Sequence, residues 1–489
     1  MSLIDMLTIP EESIQSHLDA ISNIGRDSRG GWTRLAFSPE EQEVHDYAKK
    51  ILEQEKYSIR TDAFGNLIAS KKGTNPNKKR VMLGTHLDTV SNGGNYDGVV
   101  GFVTAVESVK LAEAEKGQLD YGIDIVIFRA EESTQFKRAC LGSNAAFGFL
   151  SQDDIKRLVN NGGVSLEKAV QDNGGDSTKI GSVLLNPDDY RGYFETHIEQ
   201  ASVLETNDSP IGIVTSIRAP ERRWFAVMYS VKDAAKIVLD IEKIAEEYAD
   251  KGDLVATVGK LTSKATYNSL VTGADSINTI PGKITFKLTG WSDNINDSYS
   301  KIAERRGVKY SIQRDRNSYV VEVEGVANHS GGTPMGKKYR KDALAAASEM
   351  ILATPDSIVP DSDNIPLYVD VRSNDEAYRD AVMQDIIKKV GKYCIAISDP
   401  TEKSKPIKSL NESLQLALEQ SAEQLSIKTM YLPSGAAHDA MKAAQAGIPT
   451  AMLFVPSKNG LSHNPAEFTE NKYIVDATRV LAYSLMNLK

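Results

Sequence analysis

A short Gly-rich stretch, Gly84–Gly98, carries three side chains that can bind metal ions or move protons. It contains His86, Asp88 and Asp97, and it follows directly on the strand-like run Arg80–Leu83. Imidazole and carboxylate groups are the ligands that zinc and similar divalent ions take in proteins, and glycines permit backbone conformations that other residues avoid. Open α/β sheets bind their ligands at the carboxyl ends of strands. The stretch therefore predicts part of a metal site.

Other candidate ligands lie in polar loops that follow strand-like runs further along the chain. They are Glu131, Glu132, His197 and His463. If Asp97 bridges two metal ions, one histidine and one further ligand on each side complete a dinuclear centre, a geometry that activates water. Five of the seven histidines lie in polar stretches flanked by Gly, Ser or Asn, which favours a place in a site over a place in a plain helix: His86, His197, His329, His438 and His463.

The composition predicts a globular protein with more than one compact unit. The chain has 489 residues, 41% hydrophobic and 25% charged, and a single hydrophobic core stops growing near roughly 250–300 residues. The formal net charge of −9 without a basic stripe argues against a nucleic-acid partner. The two cysteines, Cys140 and Cys394, lie far apart, so neither a disulfide framework nor a cysteine-based zinc site can form. Any metal must be held by histidines and carboxylates.

The N-terminus and the hydropathy pattern predict a cytoplasmic protein without a membrane partner. The first residues become acidic at Asp5 and again at Glu11 and Glu12, which is too early for a secretory signal peptide. No uninterrupted apolar run approaches the roughly 20 residues that are needed to cross a bilayer.

The elements that must position these side chains predict an α/β domain over residues 1–217. Ser38 and Pro39 are typical of a helix start, because Ser caps the helix and Pro fits its first position. Val99–Ala114 predicts an apolar helix directly after the metal loop, and Ile123–Phe128 predicts a buried strand. The same alternation resumes after residue 399, so the first domain is predicted to comprise 1–217 and 399–489.

Residues 218–398 differ in character and predict a second domain inserted into the first. Long amphipathic helices alternate with β-runs there, without clusters of histidines and carboxylates. Within it, Ala274–Phe286 resembles Pro360–Val369, and each is followed by a polar turn and a helix. This similarity suggests two tandem copies, about 220–315 and 317–398. Chance convergence on Asn/Pro turn chemistry is the alternative.

Seven motifs together resemble one enzyme family. They are Gly84-Thr-His-Leu-Asp-Thr89, Tyr96-Asp-Gly98, Glu131-Glu132-Ser133, Thr196-His-Ile-Glu-Gln200, His329-Ser-Gly-Gly-Thr-Pro-Met335, Ser434-Gly-Ala-Ala-His-Asp439 and Ser462-His-Asn-Pro-Ala-Glu467. They resemble the amidase/hydantoinase-carbamoylase branch of the M20 metallopeptidase family, which includes N-carbamoyl-L-amino-acid hydrolases, β-ureidopropionase and allantoate amidohydrolases. The resemblance implies a discontinuous α/β catalytic domain with a central mixed sheet flanked by helices. It also implies an inserted α+β, ferredoxin-like lid domain, and the internal similarity favours a duplication of this lid.

The resemblance also implies roles for the residues of the metal site. His86 and His197 would bind one ion, Glu132 and His463 the other, and Asp97 would bridge them. The carboxylate of Asp88 would accept the second ring N–H of His86 and fix its tautomer. Glu131 would be the general base, a task that suits a carboxylate whose pKa is raised in a sheltered site. Zinc is the expected metal, and manganese, cobalt or nickel would fit the same ligands.

The implied substrate contacts are less regular than the metal ligands. They are Gln200, Asn278, His329, Arg372 and His438. His329 would stabilise the developing oxyanion, and the guanidinium of Arg372 would recognise a carboxylate. The sequence departs from the family in two respects: Asn278 precedes His329 instead of following it, and Trp291 stands where the family has arginine. Either Asn278 or Asn364 could therefore make the family's asparagine contact.

The resemblance predicts a metal-dependent hydrolase of a linear, non-peptide C–N bond in a small carboxylate-bearing substrate. A water held between the two ions would attack, with Glu131 as the base. An M20 aminopeptidase or dipeptidase is one alternative, although His197 in place of an acidic ligand argues for the amidase branch. A binding protein without enzymatic activity is the other. The family implies a homodimer, and a duplicated lid would allow a monomer.

Overall fold

The computed structural model describes residues 11–182, 184–227, 230–261, 271–272, 280–315, 318–326, 329–336, 339–359, 365–400 and 402–488. These residues form two compact units. The first comprises the described residues up to Ile217 and those from Ser409 onward, and the second lies between Arg218 and Lys408. The first unit resumes at Ser409 and not at the predicted residue 399, because the short strand Glu402–Lys403 still pairs with a strand of the second unit.

The strands are numbered here in chain order. They are β1 Ser58–Thr61, β2 Leu67–Lys71, β3 Arg80–His86, β4 Ile123–Phe128, β5 Tyr190–Ile198, β6 Ile211–Ile217, β7 Ala219–Val227, β8 Val255–Leu261, β9 Val271–Thr272, β10 Lys283–Leu288, β11 Lys309–Asp315, β12 Ser318–Glu324, β13 Ile365–Ser373, β14 Cys394–Ile397, β15 Glu402–Lys403, β16 Thr429–Ser434 and β17 Thr450–Val455.

The α-helices are numbered in the same way. They are α1 Glu11–Ser22, α2 Pro39–Gln54, α3 Val99–Lys116, α4 Leu141–Ala146, α5 Gln152–Arg157, α6 Leu166–Asp172, α7 Val203–Thr206, α8 Val231–Ala249, α9 Asp293–Arg306, α10 Ala343–Ala353, α11 Glu376–Val390, α12 Glu412–Gln424, α13 Asp439–Gln445 and α14 Asn471–Asn487. Short 3-10 helices lie at Ser177–Lys179, Pro187–Asp189, Asp356–Ile358, Gly391–Tyr393 and Lys458–Gly460. Among the described helices, none combines the length and the apolar character that a membrane span requires.

The first unit is built on a mixed eight-stranded sheet in the order β1-β2-β4-β3-β5-β17-β6-β16. At its centre β3 pairs in parallel with β4 and β5, and β5 pairs in parallel with β17. Because parallel strands end at the same edge of a sheet, the loops that follow β3, β4, β5 and β17 meet there. Three of these loops carry the predicted ligands Asp97, Glu132 and His463, whereas His86 and His197 lie at the ends of β3 and β5 themselves.

Helix α3 begins directly after the loop between β3 and the helix. Gly98 has a left-handed φ of 69°, and a Cβ atom at this position would lie 2.4 Å from the backbone oxygen of His86, so only glycine fits. The helix is buried on nearly all sides between the sheet and α14, which explains why its sequence is apolar without a polar stripe. The rigid helix therefore holds the end of the loop that carries Asp97.

The second unit contains a five-stranded sheet in the order β14-β7-β13-β8, with β15 also paired to β7. Strands and helices in the order β7-α8-β8 and β13-α11-β14 give the β-α-β-β-α-β arrangement of a ferredoxin-like domain. The chain between β8 and β13 adds a second sheet in the order β11-β12-β10-β9, with α9 and α10.

The second unit does not divide into the two tandem copies predicted at about 220–315 and 317–398. Strands β7 and β8 of the first proposed copy both pair with β13 of the second. Strand β10 of the first copy likewise pairs with β12 of the second. Both sheets are thus shared by the two segments, and the structure does not confirm the predicted duplication.

Candidate metal centre

Two histidines and one carboxylate meet at the ends of β3 and β5. The Nε2 atoms of His86 and His197 lie 3.2 and 3.0 Å from Oδ1 of Asp97 and 3.5 Å from each other. The Nδ1–H of His86 donates to the backbone oxygen of Asp88 at 3.1 Å, and that of His197 donates to the backbone oxygen of Ile198 at 2.9 Å. These bonds fix both rings so that Nε2 faces the shared carboxylate.

A second group of ligands meets on the other side of Asp97. The Nε2 atom of His463 lies 3.4 Å from Oδ2 of Asp97 and 3.1 Å from Oε1 of Glu132. The ligand atoms within each of the two groups lie within 4.8 Å of one another. Asp97 belongs to both groups and offers a different oxygen to each.

These residues fit two divalent cations. Three imidazoles and two carboxylates converge; four of these residues are buried, and the side chain of His463 is 11% exposed. Buried carboxylates are costly unless they are paired or bind a metal ion. Of the residues that the structure describes, these two groups are the ones in which three metal-binding side chains come together. The predicted ligand set His86, Asp97, Glu132, His197 and His463 is thus assembled in one place.

The protonation states of the ion-free centre follow from the close approach of its imidazoles and carboxylates. Burial alone would raise the pKa of Asp97, but the imidazoles of His197, His463 and His86 hold that pKa well below its usual range. Burial alone would lower the pKa of His463, but Glu132 and Asp97 raise it well above its usual range. The carboxylate is therefore ionised and the ring protonated, and cation binding would displace protons from the histidines.

Metal binding should stabilise the folded protein. We expect zinc added to chelator-treated protein to raise the unfolding midpoint by several degrees, since a ligand at 100 times its dissociation constant contributes about 2.7 kcal/mol. Differential scanning calorimetry would measure the shift. Calcium, which prefers all-oxygen sites, is the matched control and should raise the midpoint much less. Equal shifts with both ions would contradict a histidine-rich site.

Asp88 has two further partners besides the His86 ring that was predicted. Its carboxylate oxygens accept hydrogen bonds from the backbone N–H groups of Glu131 and Glu132, at 3.1 and 3.0 Å. Its Oδ1 lies 3.5 Å from Nδ1 of His86, further away than its own backbone oxygen. Because its carboxylate accepts these two N–H groups, Asp88 links the loop after β3 to the loop after β4.

Glu131 lies beside the ligands without belonging to either ligand group. Its side chain is buried, and its Oε1 accepts a hydrogen bond from the thiol of Cys140 at 3.2 Å. Burial, with Glu132 and Asp439 adding to it, raises the pKa of Glu131 well above its usual range, although His86 opposes this shift. A sheltered carboxylate of this kind suits proton transfer.

Gln200 and His438, two of the predicted substrate contacts, also lie beside the ligands. The side-chain amide of Gln200 donates to Oδ2 of Asp97 at 2.6 Å, and its Oε1 has no hydrogen-bond partner. The His438 ring lies 4.5 Å from that of His197, and its Nε2 is 3.0 Å from the hydroxyl of Ser434. Burial and the neighbouring His197 lower the pKa of His438 well below its usual range, so this ring is neutral.

Three residues of the centre adopt left-handed backbone conformations that residues other than glycine rarely take. They are Ala130, Gln200 and His463, with φ values of 55°, 58° and 56°. Each such conformation costs on the order of 1–3 kcal/mol and persists where the surroundings enforce it. In each case the strained residue is a metal ligand or lies within three positions of one.

The second unit brings His329 and Arg372 together. The backbone N–H of Gly332 donates to Nδ1 of His329 at 3.0 Å, so the neutral ring carries its proton on Nε2. Nη1 of Arg372 lies 3.5 Å from that Nε2, and Nη2 of Arg372 donates to Asp370 at 2.9 Å. Two N–H donors therefore stand side by side. The predicted contact Asn278 and its alternative Asn364 lie outside the described residues.

Two residues near the centre were not predicted as part of it. The guanidinium of Arg34 is fully buried and donates to the backbone oxygen of Leu87 at 3.0 Å and to Oδ1 of Asn95 at 2.9 Å. These two bonds hold the loop between β3 and α3, which carries Asp97. Glu467 accepts hydrogen bonds from the loop that carries Asp97 and from the loop that carries His463. One indication of this role was present in the sequence, since Glu467 is the last residue of the motif Ser462-His-Asn-Pro-Ala-Glu467.

Comparisons with known proteins identify the family. A sequence profile described as peptidase family M20/M25/M40 matches residues 82–487. The chain belongs to this family. The M20 protein is 26% identical to N-carbamoyl-L-amino-acid amidohydrolase of Pseudomonas sp. (strain NS671) over 496 residues, which cover 98% of this chain and 99% of that protein. It is also 26% identical to allantoate amidohydrolase of Escherichia coli (strain K12) over 497 residues, which cover 99% of each.

A solved structure supports the fold of this M20 protein. The crystal structure of AtUAH in complex with (S)-hydroxyglycine matches with a TM-score of 0.71 at 21% identity, covering 100% of this chain and 99% of that one. Several structural neighbours are hydantoinase/carbamoylase family amidases. The predicted family is confirmed, and so is the predicted enzyme class, because the named relatives are amidohydrolases.

Proposed function

We propose that this M20 protein hydrolyses the linear C–N bond of an N-carbamoyl or ureido group in a small substrate that also bears a carboxylate. One observation carries the proposal: two ligand groups share Asp97, and the buried carboxylate of Glu131 stands beside them without joining either. This arrangement separates the side chains that hold cations from the side chain that moves a proton. Metal-assisted hydrolysis of an unactivated amide uses both.

The centre would hold two divalent cations, one with His86 and His197, the other with Glu132 and His463, and both with Asp97. Zinc suits this set of imidazoles and carboxylates, and manganese, cobalt or nickel would also fit. When bound, the two cations would supply Lewis acidity, which makes a water molecule more acidic and stabilises negative charge on a substrate oxygen.

Glu131 would act as the general base. The raised pKa of its buried carboxyl makes the carboxylate a better proton acceptor than an exposed one. It would take a proton from the attacking water and pass it to the leaving nitrogen, which must be protonated to depart. The thiol of Cys140 holds one oxygen of Glu131, so the other oxygen would accept the proton.

His329 would stabilise the negative charge that develops on the carbonyl oxygen. Its Nδ1 accepts the N–H of Gly332, so its Nε2–H is the donor. A donor that is oriented before the reaction contributes more than one that must reorganise, and removal of such a donor costs about 10²–10³-fold in kcat.

Arg372 would bind the substrate carboxylate. We expect Arg372→Ala to raise KM for carboxylate-bearing substrates about 10–150-fold, since a hydrogen bond to a charged group contributes about 1.5–3 kcal/mol. Asp370 keeps Arg222 as a partner, at 3.2 Å, which limits damage to the fold. Arg372→Lys retains the charge without the planar fork and should lie between wild type and alanine. Steady-state kinetics on each acid and its amide would measure the effect, and equal KM changes for both would remove Arg372 from the site.

The relatives support the substrate class. Their names include N-carbamoyl-L-amino-acid amidohydrolase, allantoate amidohydrolase and ureidoglycolate hydrolase. Each of these substrates combines a ureido group with a carboxylate, which is the chemistry that the proposed centre and Arg372 would recognise.

A substrate screen tests the proposed function. Chelator-treated protein reconstituted with Zn, Mn, Co or Ni would be given N-carbamoyl amino acids, ureidosuccinate, allantoate and dipeptides, and ammonia and free amine would be measured. Turnover of at least one ureido substrate and none of the dipeptides is the expected result. Turnover of dipeptides alone would replace the proposal with an M20 peptidase. No turnover with any metal would favour a binding protein.

A further inference from the structure

Glu467 joins two loops that are far apart in the sequence. Its carboxylate is buried, and Oε1 accepts the backbone N–H groups of Tyr96 and Asp97 at 2.8 and 3.0 Å. Its Oε2 accepts the backbone N–H of His463 at 3.2 Å. Tyr96 and Glu467 are 371 positions apart. One side chain therefore fixes the backbone at the shared ligand and at the last ligand of the centre.

The loop around Asp97 is shaped to receive this carboxylate. A Cβ atom at Gly94 would lie 2.1 Å from the carboxyl carbon and Oε1 of Glu467, so the close approach depends on glycine. Gly98, at the N-terminus of α3, has no side chain to cap the helix. The Glu467 carboxylate accepts the N–H groups of Tyr96 and Asp97, the two residues that precede Gly98.

His463 also depends on this contact. Its φ of 56° lies in a region that residues other than glycine rarely adopt. The hydrogen bond from its backbone N–H to Glu467 holds the residue in that conformation. The resulting orientation puts Nε2 of His463 between Asp97 and Glu132.

We propose that Glu467 is a positioning residue that fixes the second ion position, formed by Asp97, Glu132 and His463. This inference rests on the proposed dinuclear centre. Glu467 belongs to neither ligand group. Its carboxylate accepts the backbone N–H groups of Tyr96 and of the shared ligand Asp97, and that of His463, which belongs to the second group alone. None of these three bonds goes to His86 or His197, the two ligands that belong to the first group alone. Loss of Glu467 should therefore weaken the second ion position far more than the first.

The test is manganese titration of the full-length, chelator-treated Glu467→Gln variant. An amide has one acceptor oxygen and cannot serve all three N–H groups. We expect wild type to bind two ions and to show the electron paramagnetic resonance spectrum of a spin-coupled pair. The variant should bind about one ion with the six-line spectrum of isolated manganese, and its affinity for the second ion should fall at least about tenfold.

Asp62→Asn is the matched control. Asp62 is a half-buried carboxylate that also accepts three backbone N–H groups, those of Phe64, Gly65 and Asn66, but it lies in the turn between β1 and β2. This variant should still bind two ions. Unfolding midpoints of both ion-free variants would show whether they lose stability to the same extent, so that a difference in metal content is not a difference in folding.

Gly94→Ala provides an independent variant if Glu467→Gln does not fold. The added methyl group would displace the Glu467 carboxylate, so the same selective loss of the second ion is expected. Retention of two ions with unchanged affinity in either folded variant would overturn the role of Glu467, and so would equal loss of both ions. If wild type itself bound fewer than two ions, the proposed centre would fail first.

Discussion

Glu131→Gln is expected to lower kcat by about 10²–10⁴-fold, the contribution of a positioned general base, while two metal ions remain bound. Glutamine keeps the size of the side chain and an oxygen that can accept the hydrogen bond from Cys140. It cannot accept a proton from water. Because Glu131 is in neither ligand group, the metal content should not change. Single-turnover kinetics and elemental analysis of the same preparation would measure both quantities.

Two further substitutions make this result specific. Glu132→Gln changes the neighbouring carboxylate, which is a ligand of the second group, and should lower the metal content as well as kcat. Glu115→Gln changes an exposed glutamate of α3 and should leave both unchanged. A Glu131→Gln protein that is fully active would exclude Glu131 as the base. Loss of metal in that variant would make Glu131 a ligand.

Much of the candidate centre could be predicted because its ligands follow strands that are easy to recognise. The run Ile123–Phe128 is continuous, apolar and β-branched, and it forms strand β4 with the predicted bounds. Such runs are typical of central strands that are buried on both faces. Once several strands of this kind are parallel, the loops at their carboxyl ends must meet. Histidines and acids in those loops are then neighbours without any knowledge of side-chain geometry.

Contacts that involve backbone N–H groups could not be predicted in this way. Asp88 was expected to contact an imidazole, and its Oδ1 lies 3.5 Å from Nδ1 of His86, but its bonds to the N–H groups of Glu131 and Glu132 were not foreseen. The burial of Arg34 and its bond to the backbone oxygen of Leu87 are equally invisible in the sequence. Every residue has the same backbone donor and acceptor, so residue types do not indicate which ones a side chain will meet.

In the second unit, the pairing of the strands could not be predicted from the sequence. The similar segments that contain Ile284 and Leu367 predicted two copies in tandem, and strands of both segments do exist. They lie in different sheets, each completed by strands from the other half of the unit. Local patterns of apolar residues specify a strand and the faces that it buries. They do not specify its neighbour, because strand pairing is decided by the packing of the whole unit.

Asp97→Asn is expected to reduce the metal content from two ions to below one and to abolish measurable turnover. Oδ1 of Asp97 faces His86 and His197, and its Oδ2 faces His463, so one carboxylate completes both ligand groups. Asparagine keeps the shape but replaces one anionic oxygen with an amide donor that repels a cation. Loss of a residue that only orients a ligand typically costs about 10–100-fold in metal affinity, and loss of a shared ligand should cost more.

Ser462→Ala is the control for the surroundings of Asp97. The Ser462 hydroxyl donates to Oδ2 of Asp97 at 3.0 Å, and its removal leaves the carboxylate and both ligand groups in place. Elemental analysis should find two ions in this variant. If Asp97→Asn also retained two ions, the cations would be held by two independent sites. The bridging role of Asp97 would then be lost, although the histidines could still bind metal.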